Sequence, residues 1–147
     1  MIIQQKEGAP GKQLMDEAME KELKAAAPGV EIVGRIIVES RADGLTKVGQ
    51  VLQAHPGLNV VVSNNDEGAL GAMSAFEVAG NKSHCFVASG GNDEVLKSVD
   101  AGALYGVAGL DFGGDMMQTF DAIATMLKDP KAAGRQLSVP MNVRTRK

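Results

Sequence analysis

The stretch VVSNNDEGALGAM, Val61 to Met73, passes from an apolar strand into Asn64, Asn65 and Asp66, and a helical pattern begins at once. In an α/β sheet such a junction places short polar side chains and free backbone N–H groups at the carboxyl end of a strand, where open sheets bind ligands. The junction therefore predicts a sheet-and-helix fold with a site for a small polar ligand at its strand ends. Capping is the plainer reading of Asn65 and Asp66, since Asn and Asp are preferred at helix starts. Three polar residues in a row exceed what one cap needs.

The same alternation extends in both directions. Ile2 to Gln5 reads as a short strand, Gly8-Ala9-Pro10-Gly11 as a turn, and Lys12 to Ala26 as a helix with Met15, Met19 and Leu23 on one face. Glu31 to Glu39 is the next strand, and Ala42 to Ala54 a helix striped by Leu45, Val48 and Leu52, stopped by His55-Pro56-Gly57. Leu58 to Ser63 is continuous enough in apolar residues for burial on both faces. The quoted helix runs from Asp66 to Ala79.

Downstream, a strand at Cys85 to Ala88, a helix at Asp93 to Ala101 with Val95, Leu96 and Val99 inward, and a strand at Leu104 to Ala108 follow. Gly114 to Lys128 is a helix with Met116, Phe120, Ile123 and Leu127 expected inward. Leu137 to Thr145 contains Pro140, which assigns it to a sheet edge or a crossing segment. Strict alternation predicts one α/β domain over residues 1–147, a three-layer α-β-α sandwich on a mainly parallel, doubly wound sheet.

Composition narrows the function. At 147 residues and 44% hydrophobic, the chain is long enough for one compact core and short for two. A net charge of -3 with interspersed signs gives no basic stripe for nucleic acid. No run approaches the roughly 20 apolar residues that span a bilayer, and the first residues carry no signal-peptide pattern. Cys85 is the single cysteine, so compartment is not readable from disulfides. Aromatic residues are 3%, few flat platforms for stacking on a sugar ring.

Further polar groups fall at other predicted strand ends. Ser89-Gly90-Gly91-Asn92 lets backbone approach closely, with Asn92 or Asp93 as a cap; a plain turn and a ligand-facing loop fit equally. Asp111 is placed to accept from ligand hydroxyls beside Phe112, the one aromatic outside the helix and strand patterns. Arg41, next to Glu39 and Ser40, reads first as a solvated ion pair. His55 and His84 stand apart from any Cys, Ser or carboxylate cluster of metal or triad spacing, so neither catalysis nor a metal site is expected. Most of the eight Met residues fall on helical stripes and read as core fillers.

Four segments together carry a family resemblance: Gln53-Ala54-His55-Pro56-Gly57, NNDEGALGAM from Asn64, Ala79-Gly80-Asn81-Lys82, and EVLKSVDAGAL from Glu94. In order and spacing they resemble the periplasmic sugar-binding proteins of the ribose-binding type, the substrate-binding components of ABC transporters. The effector domains of the lactose-repressor family share that fold. The likeness covers the whole chain but only the C-terminal lobe of such a protein.

That resemblance implies a non-catalytic lobe for a sugar or polyol, closing by a hinge against an N-terminal lobe and presented to a membrane ABC permease. It implies a periplasmic or extracytoplasmic parent, and uncovered surface that invites homo-oligomers. Asn65 matches the Asn that bonds sugar hydroxyls. Met15 stands where the family often has Arg, with Lys12 and Gln13 nearby. Ala88-Ser89-Gly90 replaces Gly-Phe-Asp, and Leu110, beside Asp111, replaces the Gln of ribose binders. The expected ligand set is Asn65, Asn64, Asp66, Gly90, Asn92, Asp111, Phe112 and, peripherally, Arg41. The alternative implied is the effector-binding and dimerisation region of a repressor. Receiver-type enzymes need clustered acids after the first strand, and Gln4-Gln5-Lys6 supplies none.

Overall fold

A computed structural model describes residues 1–6, 10–129, 131, 134, 137–139 and 141–147. The Gly8-Ala9 half of the first turn, Pro130 and Pro140 lie outside the described residues. Elements alternate as β1 (Ile2–Gln4), α1 (Pro10–Ala26), β2 (Arg35–Ile37), α2 (Arg41–Ala54), β3 (Val60–Ser63), α3 (Asp66–Val78), β4 (Cys85–Gly90), α4 (Asp93–Asp100), β5 (Gly106–Leu110), α5 (Phe112–Lys128) and β6 (Met141–Thr145).

The strands form one sheet in the order β2-β1-β3-β4-β5-β6, parallel except for β6, which pairs antiparallel with β5 at the edge. The α/β, mainly parallel sheet expected from the alternation is therefore what the chain builds. The chain moves from β1 outward to β2, then returns past β1 to β3, β4 and β5. With right-handed crossovers this reversal puts α1 on one face and α2, α3 and α4 on the other.

The second face is the dense one. Ile3, Val48, Val61, Phe76, Phe86, Val95, Val99, Leu104 and Val107 are all within 1% of full burial. Gly44 and Gly71 let α2 and α3 meet closely: a Cβ on Gly71 would fall 2.5 Å from the Arg41 carbonyl oxygen and 2.9 Å from Gly44 Cα. Phe76 and Phe86 pack edge to face at 5.0 Å with His84 against both rings, a structural place for that histidine.

The α1 face is thinner. Val60 and Val62 are half-buried while Val61 and Ser63 are buried, so β3 is not covered on both sides as its composition suggested. The apolar residues expected inward on α5 are exposed instead: Met116 49%, Phe120 56%, Ile123 48% and Leu127 79%. Among the described residues α5 has no buried side chain, so its apolar stripe is left uncovered. Met117 and Met126 share that exposure, so the core-filler reading fails for the methionines of this helix. Leu45, at 38%, also sits at the rim of the α2 stripe.

Candidate functional site

The reversal of strand order falls between β1 and β3, and at such a switch point the loops leaving the two strands diverge to opposite faces and leave a crevice. A cavity of about 310 Å³ opens there, lined by Gln5, Lys6, Val38, Glu39, Asn65 and Glu67. Three of the strands end on it and α3 starts on it, which brings helix N-terminal N–H donors close to any occupant. A larger cavity of about 600 Å³, among Met1, Val30, His55 and Leu58, lies where strands begin, away from helix N-termini.

The polar run after β3 splits three ways. Asn64 is 2% exposed; its backbone N–H donates to Ile3 O at 2.9 Å, and Gln5 Nε2 donates to its carbonyl oxygen at 2.9 Å. Its side chain turns to the α1 face, where Nδ2 donates to Asp16 Oδ1. Asn65 turns the other way and caps α3, its Oδ1 accepting from Gly68 N at 2.6 Å. The Asn65 Nδ2 group reaches Val38 O at 3.4 Å, a long contact that leaves most of its donor capacity for another partner. Ser63 Oγ donates to Asn65 O at 2.7 Å and steadies the turn.

Asp66 points along the strand ends to the next loop. Its carboxylate accepts from Gly91 N at 3.0 Å to each oxygen and from Asn92 N at 2.8 Å. Position 90 must then be glycine: its φ is +142°, and a Cβ there would stand 2.6 Å from the Asp66 carboxylate. The aspartate that the family resemblance led one to expect at this position has no room beside Asp66. Ser89 and Gly90 also belong to β4, pairing with Ala108 and Gly109, so the loop is shorter than the sequence suggested.

The remaining expected residues sit at helix starts. Asn92 caps α4 by accepting from Val95 N at 2.9 Å, and Asp111 caps α5 by accepting from Gly114 N at 2.9 Å. Phe112 opens α5 and is 64% exposed, which corrects its reading as an aromatic outside the helices. Arg41, at the start of α2, does not pair with its neighbour Glu39, which meets Lys6 at 3.3 Å. It clamps the starts of α3 and α4, donating to Glu94 at 2.7 and 2.8 Å and to Glu67 at 3.3 and 3.4 Å. Hydrogen bonds from Arg41 hold the Glu94 carboxyl below the usual carboxylate range, and those to Glu94 and Glu67 raise the guanidinium.

Asp16 is the residue that periodicity misses. It is 7% exposed, although an acid flanking the Met15-Met19-Leu23 stripe reads as solvated. The expected stripe is only half-buried, and the residue one position further round faces Asn64. Nothing in the helical pattern marks it, since its partner lies 48 residues away.

Comparison with known proteins agrees with this architecture. The sequence profile of a family described as "Periplasmic binding protein domain" matches residues 1–131. A D-apiose import binding protein from Actinobacillus succinogenes is 38% identical over 63 residues, 43% of this chain and 20% of that protein. A ribose import binding protein from Escherichia coli is 38% identical over 64 residues, 44% of this chain and 22% of that protein. The Caulobacter myo-inositol binding protein superposes with a TM-score of 0.88 at 20% identity, over 98% of this chain and 50% of that one. The binding component of an arabinose ABC transporter from Shewanella sp. ANA-3 gives 0.82 at 29% identity, over 98% and 49%. The chain thus spans about half the length of these solved structures.

Proposed function

We propose, since the chain belongs to the periplasmic binding protein domain family, that it is a sugar- or polyol-binding lobe, the C-terminal half of a clamp that closes on its ligand by hinge motion. The observation that carries this reading is the cavity at the switch point, with Asn65 Nδ2 held only at 3.4 Å and so able to donate to a ligand hydroxyl oxygen. Asn65 is the principal contact. Asn92 and Asp111 contribute at the rim, each with its second side-chain group outside the cap bond. Asp66, Gly90 and Arg41 act by fixing the loops rather than by touching sugar. No residue is assigned a catalytic role.

In the intact protein the missing lobe is the natural cover for the apolar stripe of α5, where Phe112, Met116, Phe120, Ile123 and Leu127 are exposed. Without it the same stripe drives copies of this chain together. The assembled parent works outside the cytoplasm and hands its ligand to an ABC permease. One lobe contacts part of the ligand and cannot enclose it, so affinity is low. Titration calorimetry with D-ribose, L-arabinose and myo-inositol tests this: weak or undetectable heats agree, and submicromolar binding by the monomer contradicts it.

A further inference from the structure

The sheet has an apolar face that the helices of its own chain leave half open. Strand register places Val62 of β3, Val87 of β4, Gly106 of β5 and Thr145 of β6 in one row, and Ser89, Ala108 and Val143 in the next. Residues in register share a face, and their neighbours along each strand point the other way. This face is therefore the one opposite Val61, Phe86 and Val107, which belong to the dense core. Over β1 it is closed, since Ile2, in register with Val62, is buried. Further along, Val60, Val62, Val87, Ala108 and Leu110 are only half-buried, and Val143 is 77% exposed. No described strand residue on this face from β3 to β6 is charged.

Helix α5 is the counterpart of that face. Phe112, Met116, Phe120, Ile123 and Leu127 recur every three or four residues and are all exposed, while Asp115, Asp121 and Lys128 fall off the stripe. At 1.5 Å per residue the 17-residue helix is about 25 Å long, enough to cross β3 to β6, four strands roughly 15 Å wide.

We propose that α5 of one copy docks on the β3 to β6 face of a second copy and receives that copy's α5 on its own sheet in return. This rests on the self-association stated above, which named the stripe alone, and adds the surface that takes it. Reciprocal exchange about a two-fold axis covers both helices and both faces and leaves nothing open for a third copy. With roughly 150–250 Å² on each aromatic side chain, one stripe exposes on the order of 500 Å². Two stripes and two faces then bury on the order of 1,500 Å², within the roughly 1,200–2,000 Å² of a stable interface. Packing stripe against stripe covers less, because both sheet faces stay exposed.

Cys85, the single cysteine, is a built-in probe, because it lies on the receiving face in register with Val60. Met116→Cys, Phe120→Cys and Ile123→Cys are made one at a time in the whole chain and oxidised. A disulfide needs Cα atoms within about 7 Å, so a link to Cys85 reports the docked helix. A covalent dimer on a non-reducing gel is expected for at least one variant, with the α5 and β4 peptides joined in the mass spectrum, and Cys85→Ser should abolish it. Val143→Asp, an exposed change on the receiving face, should lower the light-scattering mass toward the monomer while the far-UV spectrum stays that of the folded chain. A covalent dimer that persists with Cys85→Ser, a disulfide within one chain, no link at any of the three positions, or a V143D chain that associates as wild type does would overturn the exchange and leave self-association through α5 standing. A wild-type chain that stays monomeric overturns both. The sugar-lobe reading is decided separately, by titration with ribose.

Discussion

The Asp66 carboxylate holds the backbone N–H of Gly91 with both oxygens at 3.0 Å, tying the start of α3 to the turn that follows β4. The ends of two adjacent strands, β3 and β4, are thereby joined side by side.

That bond fixes what position 90 tolerates. Gly90→Ala places a Cβ against the Asp66 carboxylate and forces φ +142° on a residue that disfavours it, so a loss of about 1–3 kcal/mol is expected by urea denaturation. Part of the loss is steric, so in an Asp66→Ala background the same change should cost less. Additive losses in the double-mutant cycle would show that Asp66 and Gly90 are not coupled.

Two glycines of α2 and α3 should respond in opposite directions. Gly71→Ala meets Arg41 O at 2.5 Å and separates the helices, an overpacking cost of about 1–3 kcal/mol. Gly49 has nothing within 4 Å of its would-be Cβ, so Gly49→Ala should stabilise α2 by about 0.5–1 kcal/mol. Chemical denaturation of the two variants decides the matter; a stabilising G71A would be incompatible with the close α2–α3 contact.

The Glu20 carboxyl gives a pH signature. Arg35, at 2.6 Å, and then Lys24 draw it from an ordinary 4.5 down to about 2. A depressed folded-state value means that the contribution is complete above the unfolded value near 4.5 and disappears as pH falls toward about 2. The melting-temperature gap between wild type and Glu20→Gln should therefore be flat at neutral pH and close across that acid window. The group is exposed, so added salt should narrow the gap as well. A gap independent of pH would remove the ion pair from the account.

Self-association should track α5. Light scattering on the wild-type chain should show a mass rising with concentration, and Phe120→Asp should return it toward the monomer because the exposed stripe loses its central aromatic. A wild-type chain that stays monomeric at high concentration counts against the uncovered-surface argument.

Element order was legible from the sequence because β and α periodicities switch cleanly and Gly, Pro and His-Pro-Gly punctuate them. The starts of α3 and α4 were equally readable through Asn65 and Asn92, whose caps are local. What the sequence could not show depends on distant partners. The run Asn64-Asn65-Asp66 looked like one cluster, yet its three side chains serve α1, α3 and the β4 turn, directions that only the pleat and the crossovers determine. The α5 stripe had the right spacing for a core helix, and periodicity does not say which sheet, or which chain, the stripe covers. Arg41 found Glu67 and Glu94, across 26 and 53 residues, rather than its neighbour Glu39.

Asn65 carries two duties that one substitution separates. Asn65→Ala removes the α3 cap at a cost of about 1 kcal/mol, while Asn65→Asp keeps the capping oxygen and loses the Nδ2 donor. Stability should therefore fall in the first variant and hold in the second, and sugar response should be lost in both.

The most direct measurement is the chemical-shift map of the whole chain titrated with D-ribose, L-arabinose and myo-inositol at millimolar concentration. The account predicts fast-exchange shifts confined to Asn65, the β4–α4 loop and the start of α5, with weak affinity. Silence at these positions, or shifts gathered instead around Met1, His55 and Leu58 at the opposite end of the sheet, would contradict it.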